Sequence, residues 1–329
     1  MIIAGPAYIV KQTGAKMSAT FKSETDITVS IEKETKERKA SHLGKFDEVL
    51  LSVKAEIKFK PIEWDNLDVL FPWTSMSLGQ AVFGDTDLKT EIYSADGKKY
   101  TFHRTAITAS PSIGAGVEKE LMGEATITAL IGSTKSFADG DSIYKVETAT
   151  FNPPALDEDK IFSIPFKVSY GSVEIEAEEG VDIEFNVTTT ERKTDRVGIF
   201  DYIFGGYEAT AKFKPTNITE AQYNSIANPN GGVARGRSLR SQGQNLVIKG
   251  DVNGDPMFTL TKAVCAGSQT LNFSTTENRF GELEFRATST QYNTPKLTIG
   301  TVEGVAVSST GGSTKGVVSS DGEVPTVNK

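Results

Sequence analysis

The chain repeats itself once, at a spacing that only a whole domain can explain. Asp26-Ile27-Thr28-Val29-Ser30-Ile31, a charged stretch, Gly44-Lys45-Phe46-Asp47 and Lys58-Phe59-Lys60-Pro61 form the first copy. Asp182-Ile183-Glu184-Phe185-Asn186-Val187, a second charged stretch, Gly198-Ile199-Phe200-Asp201 and Lys212-Phe213-Lys214-Pro215 form the second. The copies differ by about two residues in loop length, and the period is roughly 155 residues. Solenoid and propeller repeats run at about 20–50 residues, whereas this period is the length of a domain. With 329 residues the chain has room for two such units, each able to bury its own core.

The reading that follows is two tandem β-rich domains, residues 1–151 and 161–300. Residues 152–160, with Asn152-Pro153-Pro154 and Asp157-Glu158-Asp159, read as a linker, and 301–329 as a Gly/Ser/Val-rich tail. Met17, Ala19 and Phe21 alternate with Ser18, Thr20 and Lys22, and Ile27, Val29 and Ile31 alternate with Thr28, Ser30 and Glu32, the period of a half-buried strand. Residues 1–11 read as an extended arm. Residues 33–43 hold no periodic apolar side chain and read as a solvated loop or hairpin, as do 189–197 in the second copy. Two strands are expected near 46–53 and 54–60, the second stopped by Pro61. A short helix is expected over Glu63–Phe71, with Trp64, Leu67, Leu70 and Phe71 on one face. Its counterpart starts at Asn217-Ile218-Thr219-Glu220, which resembles a capping box. Hairpins turn at Asp96-Gly97 and Asn253-Gly254, and 123–129 matches 281–287 as a closing strand.

The residues offer little chemistry. His42 and His103 lack ligand-spaced partners, and Cys265 stands alone, which suits a reducing compartment. Asp251-Val252-Asn253-Gly254-Asp255 imitates a calcium loop but has Pro256 where Gly is needed and Lys262 where a bidentate Glu belongs. Arg235, Arg237 and Arg240 make a short basic loop able to touch phosphate, though such a Gly/Ser-rich segment on an acidic protein more often makes protein contacts. No catalytic set, cofactor site or metal site can be assembled, and an enzyme is not expected. The formal net charge of −8 disfavours free attraction to nucleic acid. The N-terminus lacks a signal-peptide pattern and no apolar run approaches the about 18 residues of a membrane span, so a cytoplasmically made, non-membrane protein is expected. One feature stands out. Glu174, Glu176, Glu178, Asp182 and Glu184 alternate with apolar residues and read as an acidic sheet face.

The opening Gly5-Pro6-Ala7, the strand ending at Ile31, the charged stretch, Gly44-x-Phe46-Asp47 and the run into Phe59-Lys60-Pro61 together resemble the tail tube proteins of long-tailed bacteriophages. The second half repeats the pattern from about Pro165 to Ala287, so the chain resembles a duplicated subtype of that family. The resemblance implies β-sandwich or barrel domains, each flanked by a short α-helix, in hexameric rings stacked into a hollow tube through which DNA is ejected. With two domains per chain, it implies homotrimeric, pseudo-hexameric rings in a virion tail assembled in the host cytoplasm. Tape measure, tail terminator and distal tail proteins are the implied partners. Glu174, Glu176, Glu178, Asp182 and Glu184 would face the lumen. Lys36, Glu37, Arg38 and Lys39, with Glu191, Arg192 and Lys193, would contact the neighbouring ring. A distal-tail or hub component, or a secretion-system ring protein, is the alternative on a related fold. An adhesive β-sandwich would need clustered exposed aromatics, whereas Trp64 and Trp73 fall in or beside the expected helix.

Overall fold

The computed structural model describes residues 6–14, 17–84, 88–117, 119, 122–131, 142–161, 164–194, 198–227, 236–267, 270–273, 280–289 and 295–302. The molecule is mainly β, and every strand pairing described is antiparallel. In the first half the strands are β1 (Ala7–Gln12), β2 (Met17–Lys22), β3 (Thr28–Ala40), β4 (Gly44–Phe59), β5 (Thr90–Ser94), β6 (Lys98–Phe102), β7 (Thr105–Ala109), β8 (Ile113–Ala115), β9 (Ala125–Leu130) and β10 (Tyr144–Thr148). The second half holds β11 (Phe166–Tyr170), β12 (Val173–Ile175), β13 (Val181–Thr194), β14 (Gly198–Phe213), β15 (Gln244–Gly250), β16 (Pro256–Cys265), β17 (Leu283–Arg286) and β18 (Leu297–Thr301). Two short helices, α1 (Leu67–Leu70) and α2 (Glu220–Ala227), follow the long strands β4 and β14.

The first half forms two sheets, ordered β10-β6-β5-β1-β2 and β3-β4-β9-β7. Their apolar faces meet in one core, where Ile9, Phe21, Ile92 and Phe102 join Val29, Ala55, Ile57 and Ile127. The second half repeats these pairings: β11 lies between β12 and β15, β16 joins β15 to β18, and β14 lies between β13 and β17. Here β16 also pairs with β17, so both layers belong to one continuous sheet. The alternation that predicted strands is the alternation that fills this core, because successive side chains point to opposite faces.

The pairing register corrects the repeat. Thr28 lies opposite Lys58 and Asp182 opposite Lys212, so the counterpart of Asp182 is Thr28, not Asp26. A constant shift of 154 residues relates Thr28, Gly44 and Phe59 to Asp182, Gly198 and Phe213, and the two hairpins have the same length. A slip of two residues leaves every side chain on the same face, so alternation alone cannot detect it.

Further corrections follow from burial and pairing. Residues 7–12 are no arm: β1 lies between β2 and β5, with Ile9 fully buried. The charged stretch 33–43 is mostly strand, as is 189–194, and the two strands expected over 46–60 are the single strand β4. Cross-strand backbone bonds sustain the first arm, where neither face of 33–39 packs on a core, whereas in the second arm β14 buries Ile199 with Phe83, Ala106 and Leu130. The first helix is one turn, held between Asn66 in the left-handed region (φ 59°) and Pro72. At α2 the reciprocal capping bonds run between Thr219 and Gln222, at 2.8 and 3.2 Å, in place of Asn217 and Glu220. The linker is docked: the Asp157 N–H donates to Glu63 Oε1 at 2.7 Å, and Lys160 pairs with Asp65 at 3.0 Å. Thr301 ends β18, and the remainder of the tail beyond Val302 lies outside the described residues, as does Arg235.

Lys11 is the one buried lysine of the described core, 4% exposed, and it donates to the Thr105 carbonyl and hydroxyl at 3.1 Å each. Burial pushes its ammonium down to about 8. The unfolded chain therefore binds more protons between that value and the ordinary lysine range. The destabilisation is complete below about pH 8 and is relieved as pH rises toward 10.5. It is worth up to ~3 kcal/mol. Lys11→Met is expected to raise the urea-unfolding free energy at pH 7 by about 1–3 kcal/mol and to flatten its rise above pH 8. An unchanged pH profile contradicts this.

Candidate functional site

The two halves meet by continuing a sheet across the join. Strand β8 leaves the first half and adds to the edge of β13, with Ala115 opposite Val181, Gly114 opposite Asp182 and Ile113 opposite Ile183. All of Ile113, Ala115, Val181 and Ile183 are at most 1% exposed. The approach depends on two glycines. Gly180 has φ +84°, and a Cβ on it would stand 2.2 Å from the Ala115 carbonyl oxygen; one on Gly116 would stand 2.9 Å from Gly180 Cα.

A second contact lies along β14. Gly79 and Val82 donate their N–H groups to Phe204 and Tyr202 at 2.9 and 2.8 Å, and Phe204 returns one to Gln80 at 2.9 Å. Trp73, in the 3-10 turn Pro72–Thr74, stacks on Phe204 with centroids 5.5 Å apart, and its indole donates to Ser110 Oγ at 3.0 Å. Phe71 packs against Phe185 at 4.9 Å. Asp201 is 4% exposed because its carboxylate accepts the Phe83 and Tyr202 N–H groups at 3.1 and 2.7 Å. A buried carboxylate bonded in this way costs far less than an unpaired one. These residues were missed from the sequence; the Gly-rich spacing around 114–116 and Gly180 was the only trace of the join.

The acidic residues turn a corner between layers. Glu174 is on β12, Glu176 and Glu178 lie in the connection after it, and Asp182 and Glu184 are on β13. The expected strand through Glu178 therefore stops at Ile175. Asp182 bonds Lys119, Glu184 pairs with Lys212 at 3.0 Å, and Glu178 with Lys214 at 2.7 Å. Across β13, β14 and β17 the outward side chains include Asp182, Glu184, Glu208 and Glu284 against Lys212 and Arg286, with Lys119 of the first half on Asp182, so four carboxylates meet three cations on this face. An open cleft of about 670 Å³ runs over it, lined by Ser110 and Ser112 of the first half and Glu184, Asn186, Glu208 and Lys212 of the second. Its polar lining gives little apolar hold for a small molecule.

The arms carry the remaining expected contacts. Lys36, Glu37, Arg38 and Lys39 lie exposed in the outer part of β3, where Arg38 faces Asp47 at 3.6 Å and Glu37 meets Lys39 and Lys45 at 2.8 and 3.1 Å. The Glu37 carboxyl is held below the usual range by hydrogen bonds from Lys39 and Lys45. On the second arm Lys193 pairs with Glu191 at 3.0 Å, and the Arg192 guanidinium sits over the Phe200 ring at 4.9 Å. Lys193 also comes within 3.7 Å of Glu34, so the arms are neighbours. Such exposed pairs contribute little stability; they set a charge pattern. Of the other sequence candidates, Arg237 is exposed and Arg240 lies in the 3-10 turn Leu239–Gln242. Asp251 pairs with Lys167 at 2.9 Å, and Asp255 accepts the Val252 N–H at 2.7 Å, so the calcium-like sequence closes the β15–β16 turn.

Among the described residues, no helix is long and apolar enough to cross a membrane. The chain matches no family model and no curated protein.

Gly180→Ala adds a side chain where the backbone is left-handed and the Ala115 carbonyl stands in its place. It is expected to lower the unfolding free energy by about 2–4 kcal/mol and to speed hydrogen exchange in β8. A change within about 0.5 kcal/mol contradicts the tight join.

Proposed function

We propose that this chain is a structural subunit that builds stacked, trimeric, pseudo-hexameric rings, forming a tube of the bacteriophage tail type through which DNA passes during ejection. The observation that carries the reading is the repeated pairing scheme: the pairings of β1, β4 and β6 recur at β11, β14 and β16, and a sheet edge joins one half to the next. A head-to-tail contact of this kind is heterologous, and heterologous contacts close into rings when the rotation permits. Three chains then supply six similar positions.

Two further features support the reading. The outward face of β13, β14 and β17 keeps a small acidic balance, with Asp182, Glu184, Glu208 and Glu284 against Lys212, Arg286 and the Lys119 that pairs with Asp182. Duplex DNA carries about one negative charge per 1.7 Å of axis, and proteins that neutralise phosphates hold it. A bore lined by this face repels phosphate and lets the duplex slide. Glu174 and Glu176, on the other side of the corner, fit that lining less well.

The long arms β3–β4 and β13–β14 suit contact between stacked rings. The end of the first arm projects both charge signs from strands that bury little, and Glu191, Arg192 and Lys193 lie exposed on the second, giving orientation-setting contacts. By the family resemblance, a tape measure inside the tube and terminator or distal tail proteins at its ends are the partners, in a virion tail assembled in the host cytoplasm.

The test trims the first arm. Lys36 lies opposite Val49, so removing residues 37–48 and joining these two through Asn-Gly restores a two-residue hairpin turn. The trimmed chain is expected to stay soluble and form single rings, while the intact chain forms tubes in negative-stain electron microscopy. Full tubes from the trimmed chain overturn the stacking role, and an intact chain that forms neither rings nor tubes overturns the function.

A further inference from the structure

We propose that the first arm is a docking strip for a second copy of this chain: the loop leading into β15 of one copy, carrying Leu239 between Arg237 and Arg240, docks beside Leu50 on the edge of β4 that faces away from β3 in the next. The inference rests on the ring reading and gives it a specific interface.

The strip is a copy of one that is already occupied. Within the chain, residues 79–83 run along the edge of β14 that faces away from β13. They exchange backbone bonds with Tyr202 and Phe204, and the Phe83 N–H reaches Asp201. The two arms have the same build at this point. Their register shifts fall at equivalent places, Glu34/Thr35 and Arg38/Lys39 in one, Thr188/Thr189 and Arg192/Lys193 in the other. The Glu48 N–H donates to Asp47 Oδ1 at 2.8 Å, just as the Tyr202 N–H donates to Asp201 Oδ1 at 2.7 Å. What differs is cover. Asp201 and Phe204 are 4% and 2% exposed, whereas the Asp47 side chain is 47% exposed and Leu50 is 46% exposed. Among the described residues, β9 covers this edge of β4 only from Lys54 to Phe59. The second arm comes close to it only near Leu51, whose carbonyl oxygen would stand 2.5 Å from a Cβ on Gly198.

The occupant is marked on the other half. Ser94 lies opposite Ala7 of β1, and Gly250 opposite Phe166 of β11. A shift of 156 residues therefore relates β5 to β15, and it carries Phe83 to Leu239. Phe83 is 5% exposed, packed with Ile199, Ala106 and Leu130, whereas Leu239 is 43% exposed. Apolar side chains are thus bare on the second half where the occupant is expected and on the first half where the strip is expected. A second copy of this chain supplies both. Local charge agrees: Arg237 and Arg240 flank Leu239, and Asp47 and Glu48 precede Leu50 on the strip. Ile199 and Tyr202 have Lys45 and Glu48 as counterparts, so the contact between chains is more polar than the one within. An uncovered strand edge is otherwise an aggregation hazard.

In the full-length chain, Leu50 is replaced by photoreactive p-benzoylphenylalanine. Heavy-isotope and unlabelled chains are mixed, allowed to assemble and irradiated, and the linked peptides are read by mass spectrometry. Links from position 50 to residues 236–243 of a differently labelled chain are expected. Assemblies whose links fall elsewhere, or only within one chain, overturn this interface and leave the ring reading standing. A parent chain that is monomeric at every concentration overturns both. Leu50→Ser and Leu239→Ser, each at an exposed position, are expected to keep the parent's melting temperature and to weaken association about tenfold or more. Because the two side chains share one contact, the double variant is expected to lose less than the product of the single losses. Unchanged association in either single variant, or losses that simply multiply, also overturn the proposal. The arm-trimmed chain keeps Leu50, and with it the apolar part of this contact.

Discussion

The passage of Gly116 across Gly180 is the contact on which the rest of the structure depends. Because neither residue carries a Cβ, β8 can lie on the edge of β13 and carry one half's backbone into the other half's sheet. Burial then accumulates around that seam: Ile113 against Ile183 in the sheet, Trp73 on Phe204, Phe71 on Phe185. The core is continuous across it.

Much of the fold was legible because period-two alternation reports directly on which face is buried. The strands around Phe21, Ile57, Ile127 and Ile248 follow from it, and so do the turns at Gly97 and Gly254, where positive φ favours glycine. Register was not legible, since Asp26 and Thr28 present the same alternation to Asp182. Nor were the arms: Lys33–Lys39 form strand although they bury nothing, because their backbone bonds to β4 are indifferent to side-chain polarity. The join was least legible of all. Pairing of residues 113–115 with 181–183 is a long-range choice that no local pattern encodes. The buried Asp201 looked like part of a sequence motif, and only packing revealed that it satisfies the Phe83 N–H.

Charge works at two scales in this molecule. Close pairs such as Glu184–Lys212 and Glu178–Lys214 fix side chains locally and add little stability. The residual negative balance of the outward face acts further out, over about a Debye length of ~8–10 Å. The same separation applies to the arms, whose mixed charges orient without anchoring. Apolar surface is left bare at Leu50 and Leu239, positions whose counterparts in the other half, Phe204 and Phe83, are covered.

Native mass spectrometry of the full chain tests this most directly, because it counts copies. The account predicts closed species of three chains, each of 35.5 kDa, and stacks in multiples of three. A dominant dimer, or a monomer persisting at the concentrations where electron microscopy shows particles, would contradict it.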